Sequence, residues 1–147
     1  MTWWMVDSID CLSEARPQES IARRLTQGVA WADLVITFPL ALPVTAPAFV
    51  NVIYYCNSFL GGQVSQPALS QLAWFFINLA GVLGVFWAVV RLVSPYQFLA
   101  CADAFCRCFV VVLLLYYILK GFVPIVFAVF VATEALGAML EFTVFGR

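Results

Sequence analysis

From residue 28 to residue 147 the chain is built of four long apolar segments separated by breaks of a few residues. Six ionisable side chains lie inside these segments or at their ends: Asp33, Arg91, Asp103, Arg107, Glu134 and Glu141. A helix needs roughly 20 apolar residues to cross the hydrocarbon layer of a bilayer, and four such stretches consume most of the length. Lipid also excludes open strands, because every backbone polar group must be satisfied within the protein. The fold class expected is therefore all-α, an integral membrane four-helix bundle. A charged group in hydrocarbon costs roughly 2.5 to 3.5 kcal/mol on insertion scales, so these six are expected to pair, to line a cavity or to do work.

Composition agrees with this reading. Hydrophobic residues make up 65% of the 147 and charged residues 10%, with a mean hydropathy of +1.01, whereas charged residues make up about 25% of a soluble domain. The length accommodates an amphipathic segment over residues 1–27 and one membrane domain over 28–147, with no separate soluble catalytic domain. A net charge of −1, with Lys and Arg scattered singly apart from Arg23-Arg24, speaks against a nucleic-acid partner. Histidine, the commonest transition-metal and haem ligand, is missing from the sequence. The five cysteines, Cys11, Cys56, Cys101, Cys106 and Cys108, form no CxxC pair. No metal site and no cofactor is expected, and the thiols are expected to be free and mostly buried.

The expected spans are about 29–60, 67–93, 96–119 and 122–145. Between them lie Gly61-Gly62-Gln63-Val64-Ser65-Gln66 ahead of a helix-starting Pro67, then Ser94-Pro95, then Lys120-Gly121, all short enough to make sequential spans antiparallel. The first 27 residues mix Asp, Glu and Arg with Trp, Ile and Leu, as expected either for one or two surface-lying helices broken near Pro17 or for a loosely ordered tail. They lack the pattern of a cleaved secretory signal and are expected to stay on the protein. Arg16, Arg23, Arg24, Arg91 and Arg147 fall on one side and Lys120 on the other, which makes both termini cytoplasmic. Trp31, Trp87 and Tyr96 then mark the cytoplasmic interface, and Tyr54, Tyr55, Trp74, Tyr116 and Tyr117 the outer one. The expected location is a bacterial inner membrane.

Three features fall within the bilayer. Pro39, Pro43 and Pro47 stand at i, i+4 and i+8 and remove successive hydrogen bonds from one helix face, so the first span is expected to bend or open there, with Thr37 and Thr45 as local donors. Ala80, Gly84 and Ala88 form a small-residue stripe that lets another backbone approach the second span. Asn78, on the same span, is expected to hydrogen-bond to a neighbouring span or a ligand.

The charges are the third feature. At about 1.5 Å of rise per residue, Asp103 lies about 10 Å and Arg107 about 16 Å inside the cytoplasmic surface, and Glu134 about 18 Å down from the opposite one. Asp103 and Arg107 share a helix face at i, i+4, and Glu134 and Glu141 share one at i, i+7. The expected polar seam has Arg107 bridging Asp103 and Glu134, and Arg91 serving Asp33 and either Asp103 or Glu141. Two arginines against four carboxylates leave an excess of two negative charges, which favours a proton on Glu134 or Glu141, a cationic ligand or a partner subunit.

The span layout, the second-span stretch NLAGVLGVFWAVVRL and the third-span DAFCR resemble the small bacterial four-helix DoxX-like membrane proteins. The first span departs from that pattern, with Asp33 and three prolines in place of a glycine-rich start carrying a basic residue. The resemblance implies the four-helix architecture and a role as a partner subunit, in a group linked to sulphur or thiol oxidation, quinone-associated complexes and envelope stress. It assigns no catalytic residue.

Three functions are compatible with these residues. The first is a non-enzymatic membrane subunit, or a protein that binds a small molecule or lipid in its polar seam; its partners would be membrane lipids and either another membrane protein or further copies of itself. The second is a proton-linked transporter or channel acting as a homo-oligomer. The third is a component of a membrane redox enzyme, although no nucleophile–base pair is visible in the sequence.

Overall fold

The computed structural model describes residues 17–94 and 97–145. The expected surface helices of residues 1–16 lie outside this range, as do Cys11, Arg16, Tyr96 and Arg147. Among the described residues there are five α-helices and no strand. In order they are α1 Pro17–Ala41, α2 Ala46–Phe59, α3 Gln71–Val93, α4 Gln97–Leu119 and α5 Ala128–Phe145, with a 3-10 turn at Ile125–Phe127 before the last.

Pro17 opens α1, where a missing N–H costs nothing. The helix then continues without a break through residues 27 and 28, where the sequence suggested a boundary between surface segment and first span. The expected single span over 29–60 is instead two helices, α1 and α2, meeting at 113°. The three prolines divide the work: Pro39 lies in the last turn of α1, Pro43 in the break, and Pro47 in the first turn of α2, where no hydrogen bond is lost. Pro43 has no N–H to offer the carbonyl of Pro39, and Thr45 Oγ1 donates to that carbonyl instead at 2.7 Å. Asn78 Nδ2, on α3, donates to the next carbonyl, Leu40, at 2.8 Å. A mild kink would need only local donors; here a second helix supplies one.

Glycine closes two of the helices. Gly61 (φ 79°) follows α2 and Gly121 (φ 68°) follows α4, and the next residue's N–H returns to the helix in each case, Gly62 to Asn57 at 2.8 Å and Phe122 to Tyr117 at 3.0 Å. The start of α3 differs from the expectation. Pro67 lies in the connecting loop and the helix begins at Gln71, because Ser70 accepts from the N–H of Ala73 at 3.2 Å and supplies the cap that proline lacks.

The main contacts pair α1 with α3 and α4 with α5, while α1 and α5 join the two pairs. Both pairs are antiparallel: Gln27 near the middle of α1 reaches the Leu92 carbonyl at the end of α3, while Leu40 and Ala41 at the end of α1 lie against Gly81, and Phe105 early in α4 stacks edge-on against Phe142 late in α5 at 5.3 Å. Close approach in the first pair rests on Gly81, where a Cβ would run into the backbone of Leu40 and Ala41, and on Gly84, where it would lie 2.7 Å from Thr37 Cγ2. The small-residue stripe expected at Ala80, Gly84 and Ala88 is therefore corrected. Ala80 is exposed, and the inward line follows Gly81, Ala88 and Arg91, all buried, with Gly84 half-buried between them.

Burial is inverted relative to a protein folded in water. Among the described residues the buried hydrophobic ones are all alanines (Ala30, Ala46, Ala88, Ala100, Ala104 and Ala138), and they share the interior with Arg91, Asp103, Arg107 and Glu141. Phe98, Phe109 and Leu119 are at least three-quarters exposed. Such a surface is compatible with an apolar solvent such as the interior of a membrane. Three helical stretches, Gln71–Val93, Phe98–Leu119 and Ile125–Thr143, are long and apolar enough to cross a membrane, and a fourth if α1 and α2 count as one broken span. The thiols follow the same inversion. Cys56, Cys106 and Cys108 are exposed and Cys101 is half-buried, all free, so the expectation of mostly buried thiols does not hold.

Candidate functional site

Four helices each contribute to one polar cluster. Asp33 comes from α1, Arg91 from near the end of α3, Asp103 and Arg107 from one face of α4, and Glu134 and Glu141 from one face of α5. Both arginines bridge both aspartates. Asp33 Oδ2 accepts from Nη2 of Arg91 and from Nη2 of Arg107. Asp103 Oδ2 accepts from Arg91 Nη1 at 2.5 Å and Arg107 Nε at 2.7 Å. The four groups close a ring that ties α1, α3 and α4 together, and forked guanidinium groups suit such bridging in a way a lysine ammonium would not.

The glutamates sit at the edge of this ring. Glu134 Oε2 accepts from Arg107 Nη1 at 2.7 Å. Glu141 is served less well: Oε1 lies 3.4 Å from Arg91 Nη1, while Oε2 is 3.9 Å from Arg107 Nε and has no hydrogen-bond partner. The expected pairing of Arg107 with Asp103 and Glu134 is present. Arg91 serves Asp33, Asp103 and Glu141 together, where the sequence left a choice between the last two. The contact of Asp33 with Arg107 was not foreseen, and it merges what looked like two layers into one cluster.

Of the other sequence-selected residues, Asn78 and the prolines stand apart from the cluster. Asn78 is occupied at the Leu40 carbonyl, and Pro39, Pro43 and Pro47 shape the break between α1 and α2. Two participants were missed. Trp87, assigned to an interfacial belt, donates from Nε1 to Asp103 Oδ1 at 2.5 Å; its place four residues before Arg91 was the available signal. Gly137, three residues after Glu134 and four before Glu141, gives the Arg107 guanidinium room, since a Cβ there would lie 3.1 Å from Nη1.

Beside the cluster lies a cavity of about 350 Å³. Asp33 and Thr37 of α1, Gly84 and Trp87 of α3, Cys106 and Val110 of α4, and Glu134 of α5 line it, with Asp103 and Arg107 at the cluster. Thr37 is fixed by its own helix, its hydroxyl donating to the Asp33 carbonyl at 2.8 Å. Among the described residues no group of three or more Cys, Asp or Glu is disposed to hold a metal ion; the carboxylates turn to arginine. The cavity thus joins an apolar wall to acceptors and a guanidinium at one end, which is the chemistry of a site for an amphipathic molecule. Comparison of the chain with family models, with curated proteins and with solved structures gave no match.

Proposed function

We propose that this protein is a non-enzymatic, membrane-embedded binding protein or complex subunit, whose charged cluster and adjoining cavity form one ligand site. In this reading the helices make a four-helix bundle of the DoxX-like kind in a bacterial inner membrane, with both termini cytoplasmic. One observation carries the proposal: Asp33, Asp103, Arg107 and Glu134 belong both to the buried ion-pair network and to the wall of the cavity. Charges held only as structural glue do not need to border open space, whereas a binding site does.

Native mass spectrometry of the protein, extracted with its surrounding lipid, tests this. A retained small molecule or lipid on the monomer supports the binding role, and a complex with a second membrane protein supports the subunit role. A bare monomer that binds nothing on adding back membrane extract contradicts both.

A second reading, proton-linked transport by a homo-oligomer, draws on one particular group. Glu141 has a side chain only 2% exposed, with one oxygen unpartnered, and a carboxyl so placed can carry a proton between states. A proton flux in vesicles that is abolished by Glu141→Gln would favour it.

A further inference from the structure

We infer that the cavity receives a cationic amphiphile, whose ammonium head pairs with Glu134 and Asp33 while its apolar chain leaves past Cys106 and Val110 into the lipid. This rests on the binding role proposed above and specifies the ligand.

The first ground is donor capacity. Arg107 commits Nε to Asp103, Nη1 to Glu134 and Nη2 to Asp33. Arg91 commits Nη1 to Asp103 and Glu141, and Nη2 to Asp33. Four carboxylates face these two guanidinium groups, and among the described residues nothing donates to Glu134 Oε1 or Asp33 Oδ1. Arg91 Nε has no partner, but Arg91 is fully buried and does not line the cavity, so toward the cavity the balance of the cluster is negative charge and acceptor capacity. An anionic head would meet an excess of carboxylate, and a neutral head would leave that excess uncorrected.

The second ground is where this capacity lies. The side chains of Asp103 and Glu141 are 5% and 2% exposed, whereas Glu134 and Asp33 keep 23% and 21%. The two accessible carboxylates are the two outermost in the network, and both line the cavity. Trp87 shares that wall, and an indole is the aromatic group that best attracts a cation.

The third ground is the exit. Cys106 and Val110 line the cavity yet are exposed, on the most apolar stretch of α4. The pairs α1–α3 and α4–α5 meet chiefly along α1 and α5, and α3 and α4, consecutive in the chain, are bridged by Trp87 and Arg91 reaching Asp103. An opening on this side faces hydrocarbon. A volume of about 350 Å³ suits a head group and the first part of a chain.

Cys106 provides the readout. The full-length protein in lipid nanodiscs is irradiated with a lipid-soluble diazirine, whose carbene needs no thiolate, and the labelling rate of Cys106 is followed by peptide mass spectrometry, with Cys108, exposed on another face of α4, as internal reference. Decyltrimethylammonium, decanol and decanoate are the probes. The ammonium compound is expected to slow Cys106 relative to Cys108 by roughly tenfold at saturation, and Glu134→Gln to weaken that protection by roughly tenfold, the scale of one charge-assisted contact. Decanol and decanoate are expected to leave the ratio within about twofold, since neither supplies a cation. The probe series on the unaltered chain stands even where the variant fails to fold. Equal protection by decanol or decanoate overturns the cationic assignment but leaves the cavity a binding site, as does full ammonium protection in a folded Glu134→Gln variant. If none of the three probes moves the ratio, the cavity is not a site, and the binding role falls with the inference.

Discussion

The contact between α1 and α3 has two ends that are held together by opposite means. Near Gly81 the helices touch backbone to backbone with no charge involved, and Asn78 adds a single neutral hydrogen bond to the Leu40 carbonyl. Near Arg91 they are separated by a guanidinium that reaches across to Asp33 and on to α4. The first end depends on close van der Waals contact, which tolerates nothing larger but loses only packing when disturbed. The second depends on completeness. Six charges with little access to solvent are tolerable together and severely unfavourable once one is removed, because the remaining partners stay desolvated and unpaired.

This contrast predicts a hierarchy of substitutions. The largest effect belongs to Arg107→Ala, which leaves Glu134 without its donor and Asp33 and Asp103 with Arg91 as their one guanidinium, and is expected to destabilise by about 3 to 5 kcal/mol. It should be read as loss of monodisperse protein after mild extraction. Adding Glu134→Gln should recover part of that yield, and losses that simply sum would refute the pairing. At the other end of the contact, Gly81→Leu drives a side chain into the backbone of Leu40 and Ala41 and should lower thermal stability by about 1 to 3 kcal/mol. Ala80→Leu, one residue away and exposed, should stay within about 0.5 kcal/mol. Equal sensitivity at both positions would mean that α3 is rotated from the orientation described.

Smaller effects separate the two regions further. Trp87→Phe keeps the ring but removes the donor to Asp103, and a loss of about 1 to 3 kcal/mol is expected for that charged acceptor. The same substitution should shift the Cys106 labelling rate, because Trp87 and Cys106 border one cavity; an unchanged rate would detach Trp87 from it. Thr45→Val leaves the Pro39 carbonyl without its hydroxyl donor at the break. It should cost about 1 kcal/mol in thermal unfolding, the typical worth of one neutral hydrogen bond, with no change at Cys106.

Much of the charged region was legible before any coordinates. Helical rise alone brought Arg107 and Glu134 to one depth, and i, i+4 spacing aligned Asp103 with Arg107, since both follow from geometry within a single helix. The apolar region was less legible. A stripe at Ala80, Gly84 and Ala88 and one at Gly81, Gly84 and Ala88 are equally good small-residue faces, and nothing in α3 says which the neighbour uses. The prolines announced an interruption but not its size. The turn of 113° is supported by Asn78 from another helix, and a donor 38 residues away cannot be assigned from the sequence around Pro43.

By itself, then, the sequence determined that the chain is helical, that several segments are long and apolar enough for lipid, and that its interior must hold charge, because composition and helical periodicity are properties of one segment at a time. The tertiary structure alone decided that both arginines bridge both aspartates, that Gly81 and Gly137 make room for a backbone and a guanidinium, and that two carboxylates border a cavity beside Trp87. Those features depend on how helices rotate and lean against one another. That rotation is set by packing summed over all the contacts between them, and no single segment carries it.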